Sequence, residues 1–295
     1  MSRLKDKLES GKFAVTCEVA PPKGTDLTHI KESIEILKPF VDAINVTDFQ
    51  SAVVRASSLV VCRLLIDNGI EPVFQITGRD RNRIAIQGEL LSAGICGIEN
   101  VFAITGDHTS KGDHPQAKNV FDLDSINILR VCEKISAGTD MNGNKLDGNP
   151  VFYAGAAVTP SFSPIEIQII KMRKKIKAGA KFFQTQAVYD IETARRFRKL
   201  TKDFDCKILI GIVPLKSPKM AQFLNNNIPG IEVPDEIIER MEKAGKDNFR
   251  SEGIKIAGEF IKKLKEENLC DGVHIMPVGA EKSVPEIIRI AGIYD

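Results

Sequence analysis

Tryptophan is absent from this 295-residue sequence and aromatic residues make up only 6% of it, which leaves little surface for stacking nucleobases. No charge of one sign dominates: 41 Lys and Arg stand against 39 Asp and Glu, a formal net charge of +2. Bulk attraction to nucleic acid is therefore excluded, and an anionic ligand has to be held by local charge. No apolar run approaches the roughly 20 residues that cross a bilayer, so no membrane partner is expected. The stretch from Met1 to Phe13 reads as a charged helix without the apolar centre of a signal peptide, and a soluble, cytoplasmic protein is expected. The six cysteines, Cys17, Cys62, Cys96, Cys132, Cys206 and Cys270, form no CxxC, and the histidines His29, His108, His114 and His274 are nowhere paired at ligand spacing. Buried free thiols and no metal site are the expectation.

What is present is an alternation. Short β-branched runs at 13–19, 43–47, 72–77, 100–105, 151–158, 181–187, 207–213 and 272–276 predict eight strands. Amphipathic stretches at 27–38, 55–68, 81–94, 122–136, 164–178, 190–203, 218–226, 233–245, 250–267 and 283–292 predict the helices between and after them. The period is that of a βα unit, with two longer intervals. Glycines close several of the helices, with Gly69, Gly94 and Gly179 expected as left-handed caps. Eight such units predict an α/β fold, a (β/α)8 TIM barrel, as a single domain over residues 1–295. A doubly wound open sheet would place a glycine-rich phosphate turn after the first strand, where the chain instead reads Ala20-Pro21-Pro22-Lys23-Gly24. The polar, turn-rich segment from Gly138 to Pro150 precedes the fifth strand and is expected on the face away from the site.

Barrel enzymes build their sites at the C-terminal ends of the strands. Glu18 lies there in an otherwise apolar run, where partial desolvation favours the protonated carboxyl and equips it to donate a proton near neutrality. Asp107 follows Thr105-Gly106, a glycine that permits close approach of backbone to ligand, though capping the next helix is an equal use for it. Gln75, Gln184 and Gln186 are amides in apolar strands; alternation turns Gln184 and Gln186 to the lumen and Phe183 outward. Amides at a mouth suit a heterocycle. The run from Lys171 to Lys177 is densely basic, either a solvated helix face or a source of cations for a phosphate over the mouth. A Schiff-base aldolase would place a lysine at the mouth end of the sixth strand, whereas Lys181 opens that strand at the other end.

Six segments then carry a resemblance: Glu18-Val19-Ala20-Pro21-Pro22, Gln75-Ile76-Thr77 with Arg79-Asp80-Arg81-Asn82, Ala103-Ile104-Thr105-Gly106-Asp107, Arg173 to Ala180, Thr185-Gln186, and Gly211-Ile212-Val213-Pro214. In this order the chain resembles the 5,10-methylenetetrahydrofolate reductase family over nearly its whole length. The resemblance implies a barrel that binds a flavin, FAD or alternatively FMN, and transfers a hydride to the one-carbon bridge of a folate substrate. It implies that Glu18 is the general acid, that Asp107 lies between flavin and pterin, and that Gln186 contacts folate. Thr47, Gln75, Thr105, Gly106, Asp107, Ala157, Gln168, Lys171, Lys174 and Lys175 fall where the family binds flavin. The folate glutamine and the aromatic that stacks on nicotinamide align with Met220 and Leu224, Met220 thereby standing among the substrate-binding positions, with Gln222 and Phe223 adjacent; the arginine usual after the eighth strand is replaced within Met276-Pro277-Val278-Gly279. These departures favour a flavin fed by an electron-donating partner subunit, as in hetero-complexes of anaerobes, over direct use of NAD(P)H. A non-catalytic flavin- or folate-binding subunit is the third option.

Overall fold

The computed structural model of the chain describes residues 2–293. Eight parallel strands, β1 (Ala14–Val19), β2 (Ala43–Val46), β3 (Pro72–Thr77), β4 (Asn100–Ile104), β5 (Tyr153–Val158), β6 (Phe182–Ala187), β7 (Lys207–Ile212) and β8 (Gly272–Ile275), pair in sequence order into a closed barrel. Closure is made by β1 on β8, with Thr16 opposite His274. The helices are α1 (Arg3–Glu9), α2 (Thr28–Leu37), α3 (Ser58–Asp67), α4 (Arg83–Ile95), α5 (Ser125–Ser136), α6 (Ile165–Lys177), α7 (Ile191–Thr201), α8 (Pro218–Asn227), α9 (Asp235–Lys243), α10 (Phe249–Glu266) and α11 (Val284–Ile290). The predicted TIM barrel is the observed fold.

The strand pattern explains the layering, because successive side chains point to opposite faces. Val15, Cys17 and Val19 of β1, Phe74 and Ile76 of β3, and Phe183 of β6 belong to the outer core, packed with apolar residues of the surrounding helices. Ala14, Ala43, Val73, Phe102, Tyr153, Phe182 and Leu209 point inward at the N-terminal end and form a separate cluster with Leu4 and Leu8 of α1. Phe182 stacks on Tyr153, with ring centroids 5.3 Å apart, and occupies the space beside Gly155, where a β-carbon would come within 2.3 Å of the ring. Leu4 and Leu8 are wholly buried, so α1 plugs the bottom of the barrel; each leucine removed from water stabilises the fold by about 1.5–3 kcal/mol. Ser2 caps α1 and donates to Glu71 at 2.6 Å, and the Asn100 amide donates to the same carboxylate at 2.6 Å.

Two expectations need correction in detail. Gly69 and Gly179 take positive φ after their helices, but Gly94 lies inside α4, and Gly97 (φ 78°) makes the turn toward β4. Gly94 is small for a different reason: a β-carbon there would meet the Pro150 ring at 2.6 Å. The fifth strand begins at Tyr153, not at Val151, which is exposed. The 138–150 segment is closed on itself by Asp140, which accepts the backbone N–H groups of Asn142 and Asn144.

Candidate functional site

Above the apolar plug the lumen turns polar. Asn45 and Gln184 exchange side-chain hydrogen bonds across the barrel at 2.6 and 3.0 Å, and Gln184 Nε2 also donates to Thr16 Oγ1 at 3.2 Å. Thr16 Oγ1 is 3.0 Å from His274 Nδ1, and His274 Nε2 is 3.6 Å from Glu18 Oε2. Asn45, Thr16, Gln184 and His274 are all buried, whereas the Glu18 side chain keeps 12% of its surface exposed. Period-two alternation puts these groups in the lumen; the parallel register brings β1 and β8 together. Glu18 also lines a cleft of about 430 Å³ with Pro21, His29, Arg55 and Glu281. There His29 Nε2 lies 3.6 Å from Glu281, and Arg55 donates to the Pro21 carbonyl at 2.7 Å.

The ends of β2, β3 and β4 are braced by charge. Asp48, with no exposed side-chain surface, accepts two hydrogen bonds from Arg81, at 2.6 and 3.1 Å, and two more from the backbone N–H and hydroxyl of Thr77. Arg79 is 2% exposed; its guanidinium pairs with Asp80 and donates to the carbonyls of Phe49 and Asp107. It thereby ties the loop after β2 to the loop after β4. Gly106 sits at φ 93°, in the left-handed region, and a β-carbon there would come within 3.0 Å of Arg79 and 3.3 Å of Thr77. The Asp107 carboxylate is presented at the surface, 3.8 Å from Lys111, and it caps no helix; His108 caps the 109–111 turn. Thr105 accepts the N–H of Ser125 at the start of α5.

Two groups on this rim are unsatisfied. The Thr47 hydroxyl and the Arg55 Nε are buried with no hydrogen-bond partner among the described residues, and the Gln75 amide, 6% exposed, faces the lumen beside them. An unpaired buried hydroxyl costs about 1–3 kcal/mol, a cost relieved by a polar ligand.

On the next strand Ala157 is exposed at the mouth, and its carbonyl accepts a hydrogen bond from Lys175 Nζ at 2.6 Å. Burial, with the neighbouring charge of Lys171, pulls the Lys175 ammonium down to about 8. Lys171 and Lys174 are exposed and Gln168 half-buried on the same helix. Gln186 is half-buried, its Oε1 taken by the N–H of Ala187, at a point where the β6–β7 register shifts. Met220 is half-buried on the first turn of α8 and packs with Met276 beside Val213 and Leu215; Leu224 is buried in the same cluster and Phe223 is 56% exposed. Cys17 and Cys62 are pushed well up by burial, and Cys132, Cys206 and Cys270 reach about 12, so these thiols stay protonated.

The strands thus bring Glu18, Thr47, Gln75, Thr105, Gly106, Asp107, Ala157 and Gln186 to one end of the barrel, with Lys175 reaching back to it. Sequence reasoning passed over His274 and gave Arg79 no role of its own. The signal for His274 is its inward parity on β8, visible only once the register with β1 is known. A cavity of about 880 Å³ at the opposite face, lined by Lys5, Glu9, Pro150 and Lys207 among others, contains none of the expected groups.

The chain is a parallel eight-stranded (β/α)8 barrel whose C-terminal rim, the end where barrels of this class build their sites, carries a half-buried carboxyl, unpaired polar groups and a partly desolvated lysine. The family model for methylenetetrahydrofolate reductase matches residues 3–292, and the chain belongs to that family. It is 26% identical over 322 residues to a methylenetetrahydrofolate reductase (NADH) of Arabidopsis thaliana, covering all of this chain and 51% of that protein. A probable methylenetetrahydrofolate reductase (NADPH) of Caenorhabditis elegans is 21% identical over 82% of this chain and 35% of its own length. The chain thus spans about half or less of these relatives. Against a 5,10-methylenetetrahydrofolate reductase of Pectobacterium carotovorum it is 22% identical and covers 84% of that protein. Among solved structures, a Clostridium thermocellum protein that binds two copies of 5-methyl-5,6,7,8-tetrahydrofolic acid shares the fold at a TM-score of 0.68 and 18% identity, covering 99% of this chain and all of that one. An EDTA monooxygenase from Chelativorans shares it at 0.55 and 12% identity, over 96% of this chain and 95% of that one.

Proposed function

We propose that this protein binds a flavin at the barrel mouth and reduces 5,10-methylenetetrahydrofolate to 5-methyltetrahydrofolate. The observation that carries the reading is the unsatisfied rim beside Glu18: the buried Thr47 hydroxyl and Arg55 Nε lack protein partners among the described residues, and the Gln75 amide faces the lumen nearby, where a heterocycle edge with donors and acceptors fits. Gly106, cramped between Arg79 and Thr77, allows backbone to approach a flat ring, and Thr105 and Ala157 border the same opening. Lys175, with Lys171 and Lys174 on the same helix and Gln168 above them, supplies cations and an amide for the flavin phosphate. The reduced flavin, when bound, supplies the hydride for the one-carbon bridge.

The chain's own groups do the rest. Glu18 donates a proton to the ring nitrogen that leaves the one-carbon bridge; the five-membered ring opens and the carbon remains on the other nitrogen as an iminium. A side chain 12% exposed that also lines the cleft suits a carboxyl that must exchange its proton between turnovers. Asp107, whose backbone is anchored by Arg79, offers its carboxylate to the pterin, and Gln186 and Met220 border the folate from β6 and α8.

Electrons reach the flavin from a partner subunit in this reading, because Leu224, at the position aligned with the family's nicotinamide-stacking aromatic, is buried in an apolar cluster. Direct reduction by NAD(P)H is favoured by the exposed ring of Phe223 next to it and by the relatives named for NADH and NADPH. The absorbance and mass of the cofactor released from pure protein test the central claim: flavin bands with the mass of FAD or FMN are expected, and a colourless preparation after careful expression would sink it. Anaerobic stopped flow separates the two donors. No bleaching of the flavin by NADH, with turnover from a dye donor, supports the partner-fed form; rapid bleaching supports the direct one.

A further inference from the structure

The mouth chemistry above uses Glu18 and leaves His274 without a task. His274 is 3% exposed, sits on β8 at the seam of the barrel, and is the only histidine of the chain that faces the lumen among the described residues. Its two ring nitrogens are addressed from opposite sides. Gln184 Nε2 donates to Thr16 Oγ1, so the single hydroxyl hydrogen of Thr16 is directed elsewhere, and the nearer of its two acceptors is His274 Nδ1 at 3.0 Å, against 3.3 Å for the Val273 carbonyl. With Nδ1 accepting, the ring proton resides on Nε2, which faces Glu18 Oε2 at 3.6 Å. That separation is longer than a formed hydrogen bond, and catalytic hydrogen bonds commonly reach full length only in the substrate complex. Asn45 completes the chain by engaging both ends of the Gln184 amide, so the amide cannot flip without losing both bonds.

We infer that His274 is the positioning residue for Glu18: the relay from Asn45 through Gln184 and Thr16 fixes the imidazole tautomer, and the Nε2–H holds one carboxyl oxygen so that the other is aimed into the mouth. This inference rests on the reading of Glu18 as the proton donor. It accounts for a feature that packing alone does not require: four buried polar side chains threaded through a lumen whose lower half is filled by Phe102, Phe182, Tyr153 and leucines. An apolar layer at this height would fill the space without hydrogen bonds to satisfy; a polar one specifies direction.

The test uses the purified full chain with its flavin, photoreduced and mixed anaerobically with 5,10-methylenetetrahydrofolate, in single turnovers. His274→Leu removes the donor and is expected to slow folate reduction about 10- to 100-fold, the range that a misplacement near 1 Å causes, with flavin content and folate KM little changed. His274→Gln, which returns an N–H near the Nε2 position, is expected to restore most of the rate and serves as the measurement should the leucine variant misfold. In a Glu18→Gln background, His274→Leu is expected to add less than about a twofold further loss, because both changes act on one group. Losses that multiply, an unimpaired leucine variant, or no rescue by glutamine would each overturn the inference while leaving Glu18 in place. Undiminished folate reduction by Glu18→Gln alone would overturn the reading beneath it.

Discussion

The two ends of this barrel are built on opposite terms. At the N-terminal end the packing is closed: Leu4 and Leu8 of α1 are wholly buried in one cluster with Phe102, Tyr153 and Phe182, and Ser2, Glu71 and Asn100 hydrogen-bond to one another. At the C-terminal end the Thr47 hydroxyl and the Arg55 Nε are left unpaired among the described residues, a carboxyl is largely enclosed and a lysine is partly desolvated. Stability is concentrated at one end and unmet bonding capacity at the other. A barrel permits this division because its strands run all one way, so the two rims are chemically independent while sharing one core.

Changes at each end should therefore have different readouts. The largest effect is expected from Glu18→Gln, which should lower folate reduction about 100- to 10,000-fold with flavin content and melting temperature retained; single-turnover kinetics and a thermal melt check both halves. At the other end, Leu8→Ala should cost about 2–5 kcal/mol, seen as a lower denaturation midpoint, while the rate at low temperature is kept. A rate loss there without a stability loss would break the division of labour between the rims.

Lys175 gives an intermediate effect with a definite pH sign. Its ammonium is held at about 8 against an ordinary 10.5, so between these values the unfolded chain binds more protons than the folded one, and the flavin-free protein gains stability as pH rises through that window. Flavin affinity should move the other way, falling above pH 8 as the cation is lost. Lys175→Gln should weaken flavin binding about tenfold at pH 7 and flatten that dependence, measured by fluorescence titration from pH 7 to 9.5. The smallest effect is expected from Thr47→Val, which removes the orphaned hydroxyl: the flavin-free protein should be equally or slightly more stable, and flavin binding weaker by roughly fivefold. If Thr47→Val left binding unchanged, the unpaired rim would have no bearing on the ligand.

The barrel was legible in the sequence because eight β-branched runs recur with the spacing of a βα unit, interrupted by only two longer intervals, and because the lumen parity of Gln184 follows from alternation. Gly94 was misread because a glycine near the end of a helix can serve packing as well as turning, and the Pro150 ring that needs the space is far away in sequence. His274 was passed over for a related reason. A lone histidine in an apolar strand has no local signature; its neighbours Thr16 and Gln184 come from the other side of the molecule. The plug made by α1 was equally silent, since an amphipathic seven-residue helix does not announce which cavity it fills.

One consequence of the β1–β8 seam concerns how the molecule comes to be active. Thr16 and His274 are 258 positions apart, and the contact between them forms only when the last strand closes the ring. Such distant pairing carries a high loop-closure cost. On the reading of Glu18 as the proton donor, a chain lacking β8 would keep the donor itself and lose the histidine beside it. The seam thus ties the setting of one carboxyl to closure of the whole ring.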